Sequence, residues 1–127
     1  MEALNASTLS ASLTVNDVQA SLAWYRDVLG FSVEREFVRD GALRIVSIRA
    51  GNVRFLLGQD DGTKGVDRVK GVGFSLQLTT GQDIDAIASR VKEMGGALAS
   101  EPEDAWGARV FRVRDPDGFL LVISSER

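Results

Sequence analysis

Cysteine and histidine are both absent from the 127-residue chain. The absence of cysteine excludes disulfides and thiolate nucleophiles, and the absence of histidine excludes imidazole bases. Together, these absences exclude every metal site that needs a His or Cys ligand. Any chemistry therefore has to come from Asp, Glu, Lys, Tyr, Ser, Thr or the backbone.

Long apolar runs and basic stretches are also missing. No run approaches the roughly 18 apolar residues of a transmembrane helix, and the first ten residues contain no basic segment leading into an apolar one. We therefore expect a cytoplasmic protein with no secretory signal and no membrane partner. The net charge is −3, with 15 basic and 18 acidic residues mixed along the chain, so no basic stripe is available for a phosphate backbone. Nucleic acid is not expected as a partner.

The chain does contain enough apolar sequence for one core. Its composition, with 44% hydrophobic and 26% charged residues, is that of an ordinary globular protein. A chain of this length buries roughly two-thirds of its unfolded surface without disulfides or metals. The prediction is a single domain over residues 1–127.

The first half of the chain changes from a strand to a helix and then to further strands. Residues 9–15 alternate between apolar and polar side chains, which predicts a strand. Asn16 is the predicted helix N-cap, and apolar residues at helical spacing continue to a stop at Gly30. Alternation with a period of two then returns in three segments, the last at 53–57. This order of elements is βαβββ.

The second half repeats this order after a connector at 59–70 that is rich in Asp and Gly. SLTV at 12–15 matches SLQL at 75–78, and LRIVSIR at 43–49 matches ARVFRVR at 108–114. We infer two tandem βαβββ modules, at 8–58 and 71–125. Since a helix covers only one face of each four-stranded sheet, we expect an α+β fold in which the two open faces close around a cleft.

Four polar residues are assigned to the fold rather than to chemistry. Asp115 and Asp117 lie in DPDG, a sequence typical of a type I turn. Asp83 precedes a predicted helix, where a carboxylate stabilises the N terminus. Tyr25 falls on the apolar stripe of the first helix. Paired-carboxylate catalysis therefore has no good candidate in this sequence.

Two segments, LTVNDVQASLAWYRDVLGF at 13–31 and WGARVFRVRDPDGFLLVI at 106–123, resemble signatures of the vicinal oxygen chelate superfamily. This superfamily includes glyoxalase, bleomycin-resistance proteins and extradiol dioxygenases. The resemblance runs from about Ser10 to Ser124. It implies an open, eight-stranded, barrel-like cleft with helices outside, and it also implies a homodimer.

The resemblance further implies four metal-ligand positions, with His or Gln on the first strand of each half and Glu on the last. Here they fall on Ser10 and Leu56 in the first half and on Gly73 and Val122 in the second, with Ser75 the next choice after Gly73. These residues offer at most weak hydroxyl ligands, which cannot repay the dehydration of a divalent cation. We therefore predict no metal and no cofactor, and a likeness to the bleomycin-resistance branch in particular.

The residues expected to line the cleft share the parity of these four positions. Arg54 and Arg112 lie in mid-strand on that face, where two guanidinium groups can hold a carboxylate, a phosphate or a polarised carbonyl. The alternatives are pairing with Glu34 or Glu36 across the sheet, or protrusion into solvent. The other predicted strand contacts to a ligand are hydroxyls, on Ser10, Ser12, Ser47 and Ser75.

Trp106 lies in the segment WGAR, which resembles the ligand-stacking loop of bleomycin-resistance proteins. An aromatic ring at a cleft mouth can stack on a planar ligand, a contact worth about 0.5–1.5 kcal/mol beyond area burial. The alternative is that Trp106 covers the core or a subunit interface.

These features predict a metal-independent protein that binds a small molecule, similar in type to antibiotic-resistance proteins. Arginine and tryptophan would hold an anionic or planar ligand in the cleft. Two alternatives remain open. One is a metal-free lyase- or isomerase-type enzyme acting on an anionic substrate, and the other is a non-catalytic interaction domain.

Overall fold

The computed structural model describes residues 2–65 and 68–126. Met1 and Arg127 of the predicted domain, and Val66 and Asp67 of the predicted connector, lie outside the described residues. The elements in chain order are β1 (Ala11–Val15), α1 (Val18–Val28), β2 (Ser32–Arg39), β3 (Ala42–Ala50), β4 (Val53–Gln59), β5 (Leu76–Thr80), α2 (Ile84–Glu93), β6 (Leu98–Ala105), β7 (Ala108–Arg114) and β8 (Leu120–Ser125). No helix in these two ranges is long and apolar enough to cross a membrane.

Each half of the chain forms its own four-stranded sheet. The strand order is β1-β4-β3-β2 in the first sheet and β5-β8-β7-β6 in the second. In both sheets, the opening strand runs parallel to the last strand of its half, and the other neighbours are antiparallel. The predicted α+β fold of two βαβββ modules is confirmed.

The strand register corrects the alignment of the two halves. Ser12 lies opposite Leu56 in the first sheet, and Gln77 lies opposite Val122 in the second. Leu56 and Val122 are equivalent positions on the last strands, so their partners Ser12 and Gln77 are also equivalent. These two residues are 65 positions apart, the same offset that separates LRIVSIR at 43–49 from ARVFRVR at 108–114. The match of SLTV with SLQL was therefore wrong by two residues. A slip of two preserves the alternation of apolar and polar side chains, so the pattern alone does not detect it.

The offset of 65 positions between the two halves also holds for β3 and β7, which pair with β4 and β8. Ser47 and Arg112, the β3 and β7 neighbours of Leu56 and Val122, also differ by 65. The same offset of 65 makes Ser75 the counterpart of Ser10, two residues before Ser12 and Gln77. Sequence reasoning had favoured Gly73 for this position.

Asp17, and not the predicted Asn16, is the N-cap of α1. Its carboxylate accepts hydrogen bonds from the backbone N–H groups of Gln19 and Ala20, both at 3.1 Å. The side chain of Asn16 is engaged elsewhere, because its Oδ1 accepts a 2.6 Å hydrogen bond from Nζ of Lys70.

Two edge strands have bounds that differ from the predicted ones. β1 begins at Ala11 rather than at residue 9, and Leu9 is 91% exposed. No described strand covers the outer side of β1, so extending it would bury little apolar surface. The sequence pattern predicts only a short strand at 97–99 after the second helix, whereas β6 extends to Ala105 and runs through Pro102. A proline is tolerated there because β6 is also an edge strand.

One hydrophobic core joins both halves. Tyr25 of α1, Ile48 and Leu57 of the first sheet, and Phe111 and Leu121 of the second are all fully buried members of it. The prediction that Tyr25 belongs to the core is confirmed. The apolar face of each sheet packs on this core, which leaves the two polar faces pointing away from it.

The two polar faces do not close on each other within one chain, contrary to our expectation. Among the described residues, strands of the first sheet pair only with one another, and so do strands of the second. The reason lies on the opposite, apolar faces. Their common core fixes how the two halves sit together, and each polar face is left with a pocket of its own.

Candidate functional site

A pocket of about 300 Å³ lies on the polar face of the second sheet, and we call it the second-sheet pocket. Its lining combines an apolar floor with hydroxyl, amide and guanidinium groups. The lining residues are Ser75, Gln77, Ala105, Trp106, Ala108, Val110, Arg112, Leu120, Val122 and Ser124. The structure thus brings together three of the predicted ligand contacts, Ser75, Trp106 and Arg112.

Trp106 is at the rim of this pocket, in the two-residue turn between β6 and β7. The whole residue is 89% exposed to solvent. Its φ is 54°, and the next residue, Gly107, has a φ of 79°. Positive φ at both positions is typical of a type I′ hairpin turn, which prefers Asn or Asp followed by Gly. A bulky residue in this left-handed conformation is uncommon.

The first half of the chain contains the ordinary version of the same turn. Asp40 has φ 52° and Gly41 has φ 74° between β2 and β3. Asp40 thus occupies the place in the first module that Trp106 occupies in the second. The fold accepts a small polar residue at this point, so turn formation does not explain the tryptophan.

Arg112 projects over the second sheet and is weakly held. Its Nη1 donates to Oγ of Ser100 at 3.4 Å and to Oε1 of Glu103 at 3.3 Å. Both distances exceed the usual range for N–H···O hydrogen bonds. The Arg112 side chain is about one-third exposed, so water screens the pair with Glu103. The guanidinium is therefore available to a ligand in the pocket.

A second pocket, of about 450 Å³, lies on the polar face of the first sheet, and we call it the first-sheet pocket. Its lining residues are Glu34, Arg35, Phe37, Ser47, Arg54 and Leu56. Ser47 and Arg54 are predicted ligand contacts. Ser12 is exposed and lies opposite Leu56 on the same sheet, whereas Ser10 is exposed and precedes β1.

Arg54 forms a two-pronged ion pair with Glu34. Its Nε donates to Oε1 at 2.7 Å and its Nη2 donates to Oε2 at 3.2 Å. The alternative that Arg54 pairs with Glu34 is therefore confirmed. These hydrogen bonds lower the pKa of Glu34, with smaller contributions from Ser47 and Arg49. Glu34 stays ionised at neutral pH and is a weak base, so it is a poor candidate for acid–base catalysis.

The four positions implied for a metal do not provide a fitting set of donors. Leu56 and Val122 line the two pockets with hydrocarbon side chains. The first-strand positions offer the hydroxyl of Ser10 and either Gly73 or the hydroxyl of Ser75. Within residues 2–65 and 68–126, no three His, Cys, Asp or Glu side chains are grouped in a way that suits a metal ion. A divalent cation does not suit this chemistry.

Sequence reasoning did not place six of the lining residues in the cleft, namely Glu34, Arg35 and Phe37 of the first-sheet pocket and Ala105, Ala108 and Ser124 of the second-sheet pocket. Ser124 shares the parity of Val122 on β8 and could have been found from that signal. Glu34 was named only as a possible partner of Arg54, and alternation could not place it in the pocket because it occupies a β-bulge: Val33 pairs with Ile48 and Arg35 with Ser47, so Glu34 is an extra residue in β2. A bulge redirects a side chain relative to simple alternation.

Comparison with known proteins identifies the family. The family model described as "Glyoxalase/Bleomycin resistance protein/Dioxygenase superfamily" matches residues 8–123. An uncharacterized protein of Bacillus subtilis (strain 168), YraH, is 28% identical over 124 residues, which cover 91% of this chain and 94% of YraH.

Solved structures agree with this assignment. A member of the glyoxalase/bleomycin resistance protein/dioxygenase superfamily from Sphaerobacter thermophilus DSM 20745 is 27% identical, with a TM-score of 0.77 over 96% of this chain and 98% of its own. TioX from Micromonospora sp. ML1 is 21% identical, with a TM-score of 0.76 over 96% of this chain and all of its own, and shares the fold. Since the family model spans most of the sequence, the chain belongs to the glyoxalase/bleomycin resistance protein/dioxygenase superfamily.

Proposed function

We propose that this protein binds a planar small molecule that carries an anionic group, and that it does so without a metal ion. The observation that carries the proposal is the exposed tryptophan in a type I′-like turn at the rim of the second-sheet pocket. The proposed role is binding without turnover.

The turn at Trp106 has an energetic cost that a ligand would offset. A non-glycine residue in the left-handed region costs of order 1–3 kcal/mol, and such strain is concentrated at functional sites. Stacking of a planar ring on the indole would recover about 0.5–1.5 kcal/mol beyond area burial. Below the indole, Val110, Leu120 and Val122 provide an apolar floor, and Gln77 provides a hydrogen-bonding edge.

The preference for an anion is supported by the charge around the first-sheet pocket. Arg35 and Arg54 line it, and Arg49 lies 3.6 Å from the carboxylate of Glu34. Three guanidinium groups against one carboxylate give this face an excess of positive charge. Arginine suits a carboxylate because its planar fork donates two parallel hydrogen bonds.

We also propose that a homodimer completes the binding cleft. In one chain, the Arg54 side and the Trp106 side of the predicted cleft lie in separate pockets. A second copy can place its second-sheet pocket over the first-sheet pocket of its partner, and twofold symmetry then forms two equal clefts. Phe37 and Ile45, each 42% exposed near the first-sheet pocket, would be covered by this contact.

A fluorescence titration tests the binding function. The probes are 2-naphthoate and its uncharged analogue 2-naphthamide, titrated in the presence and absence of a chelator. We expect both probes to bind, naphthoate more tightly, with no effect of the chelator. The variant Trp106→Asn should weaken both by about three- to tenfold, the range that a lost stacking contact implies.

Two results would overturn the proposal. One is an affinity that is the same in Trp106→Asn and in the wild type. The other is binding that requires an added divalent metal and disappears with the chelator. Trp24→Phe serves as the matched control, because Trp24 packs against the core and lies outside both pockets.

A further inference from the structure

The groups around Glu34 converge on its carboxylate as they would converge on a bound carboxylate ligand. Arg54 donates to both oxygens, at 2.7 and 3.2 Å. The hydroxyl of Ser47 donates to Oε1 at 3.2 Å, and Nη1 of Arg49 lies 3.6 Å from Oε2. A guanidinium fork with a hydroxyl and a second cation is a complete recognition set for a carboxylate.

The bulge in β2 explains how Glu34 reaches this position. Arg35 is paired with Ser47 and lines the first-sheet pocket, so its neighbour Glu34 would face the other side of a regular strand. The bulge instead places both side chains in the same pocket. A backbone irregularity therefore directs the carboxylate onto the arginines.

The second module has the same irregularity without the carboxylate. Leu98 pairs with Val113 and Ser100 with Arg112, so Ala99 is the extra residue of β6. Ala99 and Glu34 also differ by the 65 positions that relate the two halves. Since the bulge occurs with alanine, it does not depend on the ion pair, and the carboxylate at Glu34 is a separate feature of the first module.

We propose that Glu34 is an internal substitute for the ligand's carboxylate and that it occupies a preformed carboxylate site made by Ser47, Arg49 and Arg54. This inference rests on the proposed function and adds that a carboxylate-bearing ligand displaces Glu34. Glu34 lies on the edge strand of its sheet, and its side chain is 26% exposed, so it has room to swing into solvent. Glu34 thereby sets the affinity and selectivity of the first-sheet pocket for anions.

Glu34→Gln tests the proposal, because glutamine keeps the size of the side chain and removes its charge. The matched control is Glu36→Gln, which makes the same charge change on the same strand. Glu36 pairs with the buried Val46 rather than with Ser47, so it lies on the opposite face. The probes are benzoate and inorganic phosphate, and the readouts are the dissociation constant and the NMR signal of the Arg54 Nε–H group.

We expect Glu34→Gln to bind benzoate at least about fivefold more tightly than the wild type and Glu36→Gln, because Arg54 no longer pairs with an internal charge. Benzoate should also shift the Nε–H signal of Arg54, and Arg54→Ala in the Glu34→Gln background should remove the gain. Equal benzoate affinities in the Glu34→Gln and Glu36→Gln variants would overturn the proposal. An equal gain for phosphate would also overturn it, because it would indicate a response to charge alone.

Two further measurements keep the result independent of stability and of the proposed function. Thermal unfolding without ligand shows whether each variant is folded, and Glu34→Ala provides a second removal of the carboxylate. The binding of uncharged 2-naphthamide, which depends on Trp106, should be the same in Glu34→Gln and the wild type. A gain for benzoate with no 2-naphthamide binding in any variant would contradict the proposed stacking function and still support the role of Glu34.

Discussion

The hydroxyl of Tyr25 donates a 2.8 Å hydrogen bond to Oδ2 of Asp115, and this contact links the helix of the first module to the last hairpin of the second. Both residues are buried. The other carboxylate oxygen, Oδ1, accepts from the backbone N–H groups of Asp117 and Phe119 at 2.9 Å. Asp115 therefore forms the turn, as predicted from DPDG, and also connects the two halves.

Tyr25→Phe should destabilise the protein by about 1–2 kcal/mol, because it removes a donor from a buried carboxylate and leaves the packing almost unchanged. The free energy of unfolding in urea measures the effect. Ser21→Ala is a suitable control, since the Ser21 hydroxyl bonds Asp117 in the same region at a longer 3.3 Å. A Tyr25→Phe protein as stable as the wild type would contradict the importance of the link.

Asp60 should make stability depend on acid pH. The side chain of Lys70 and the backbone N–H of Gly62 hold the pKa of Asp60 at about 2, below its ordinary value of 3.8. A lowered pKa in the folded state means that the unfolded state binds the proton more readily. The stabilisation is therefore complete above the ordinary pKa and is lost as the pH falls towards the lowered one.

The measurement is the difference in unfolding free energy between the wild type and Asp60→Asn. We expect it to be constant from pH 7 to about 5 and to shrink as the pH falls from about 4 to 2. Burial raises the pKa of the Asp115 carboxyl, so Asp115 changes the stability with pH in the opposite direction to Asp60. Both proteins contain Asp115, and its contribution therefore cancels in the difference. A difference that does not change with pH would show that the contacts of Asp60 do not persist in solution.

The sequence pattern was sufficient for the fold because both modules repeat one order of elements with clear periodicity. Turn and cap chemistry also carried information, and the predicted capping of α2 by Asp83 is confirmed. The N-cap of α1 was predicted one residue too early, because the adjacent Asn16 and Asp17 have similar capping propensities and are distinguished only by tertiary partners such as Lys70.

The sequence predicted less of the candidate site than of the fold. Alternation correctly grouped Ser47 with Arg54 and Ser75 with Arg112 on the polar faces. It could not reveal that the two faces lie apart in one chain, since that depends on how the apolar faces share a core. It also assigned no bulge, so it offered Glu34 and Glu36 equally as partners of Arg54 and did not place Glu34 in the first-sheet pocket.

Trp106→Asn should raise the stability of the protein while it weakens binding. Asparagine is favoured in the first position of a type I′ turn, so the substitution should relieve about 1 kcal/mol of backbone strain, the lower end of the cost of a non-glycine residue in the left-handed region. Asp40→Asn at the equivalent turn is the control and should change stability little. Urea unfolding of both variants gives the comparison. A loss of stability in Trp106→Asn would indicate that the tryptophan supports the fold.

Mixing two defective variants should restore binding if the cleft is built from two chains. Arg54→Ala damages the first-sheet side and Trp106→Asn damages the second-sheet side, so either homodimer contains two impaired clefts. In a mixed dimer, one cleft combines both defects and the other combines the two intact sides. Equal mixing with free exchange makes half of the dimers mixed, so about a quarter of all clefts should recover wild-type affinity for 2-naphthoate.

Sedimentation should first show that both variants are dimers, and labelled subunits should show that they exchange. A titration of the mixture that equals the average of the two separate variants would then contradict assembly of the cleft between chains. It would assign binding to the second-sheet pocket of a single chain, where Trp106 and Arg112 already lie together. Recovery of the high-affinity fraction would instead locate each ligand between the first module of one chain and the second module of its partner.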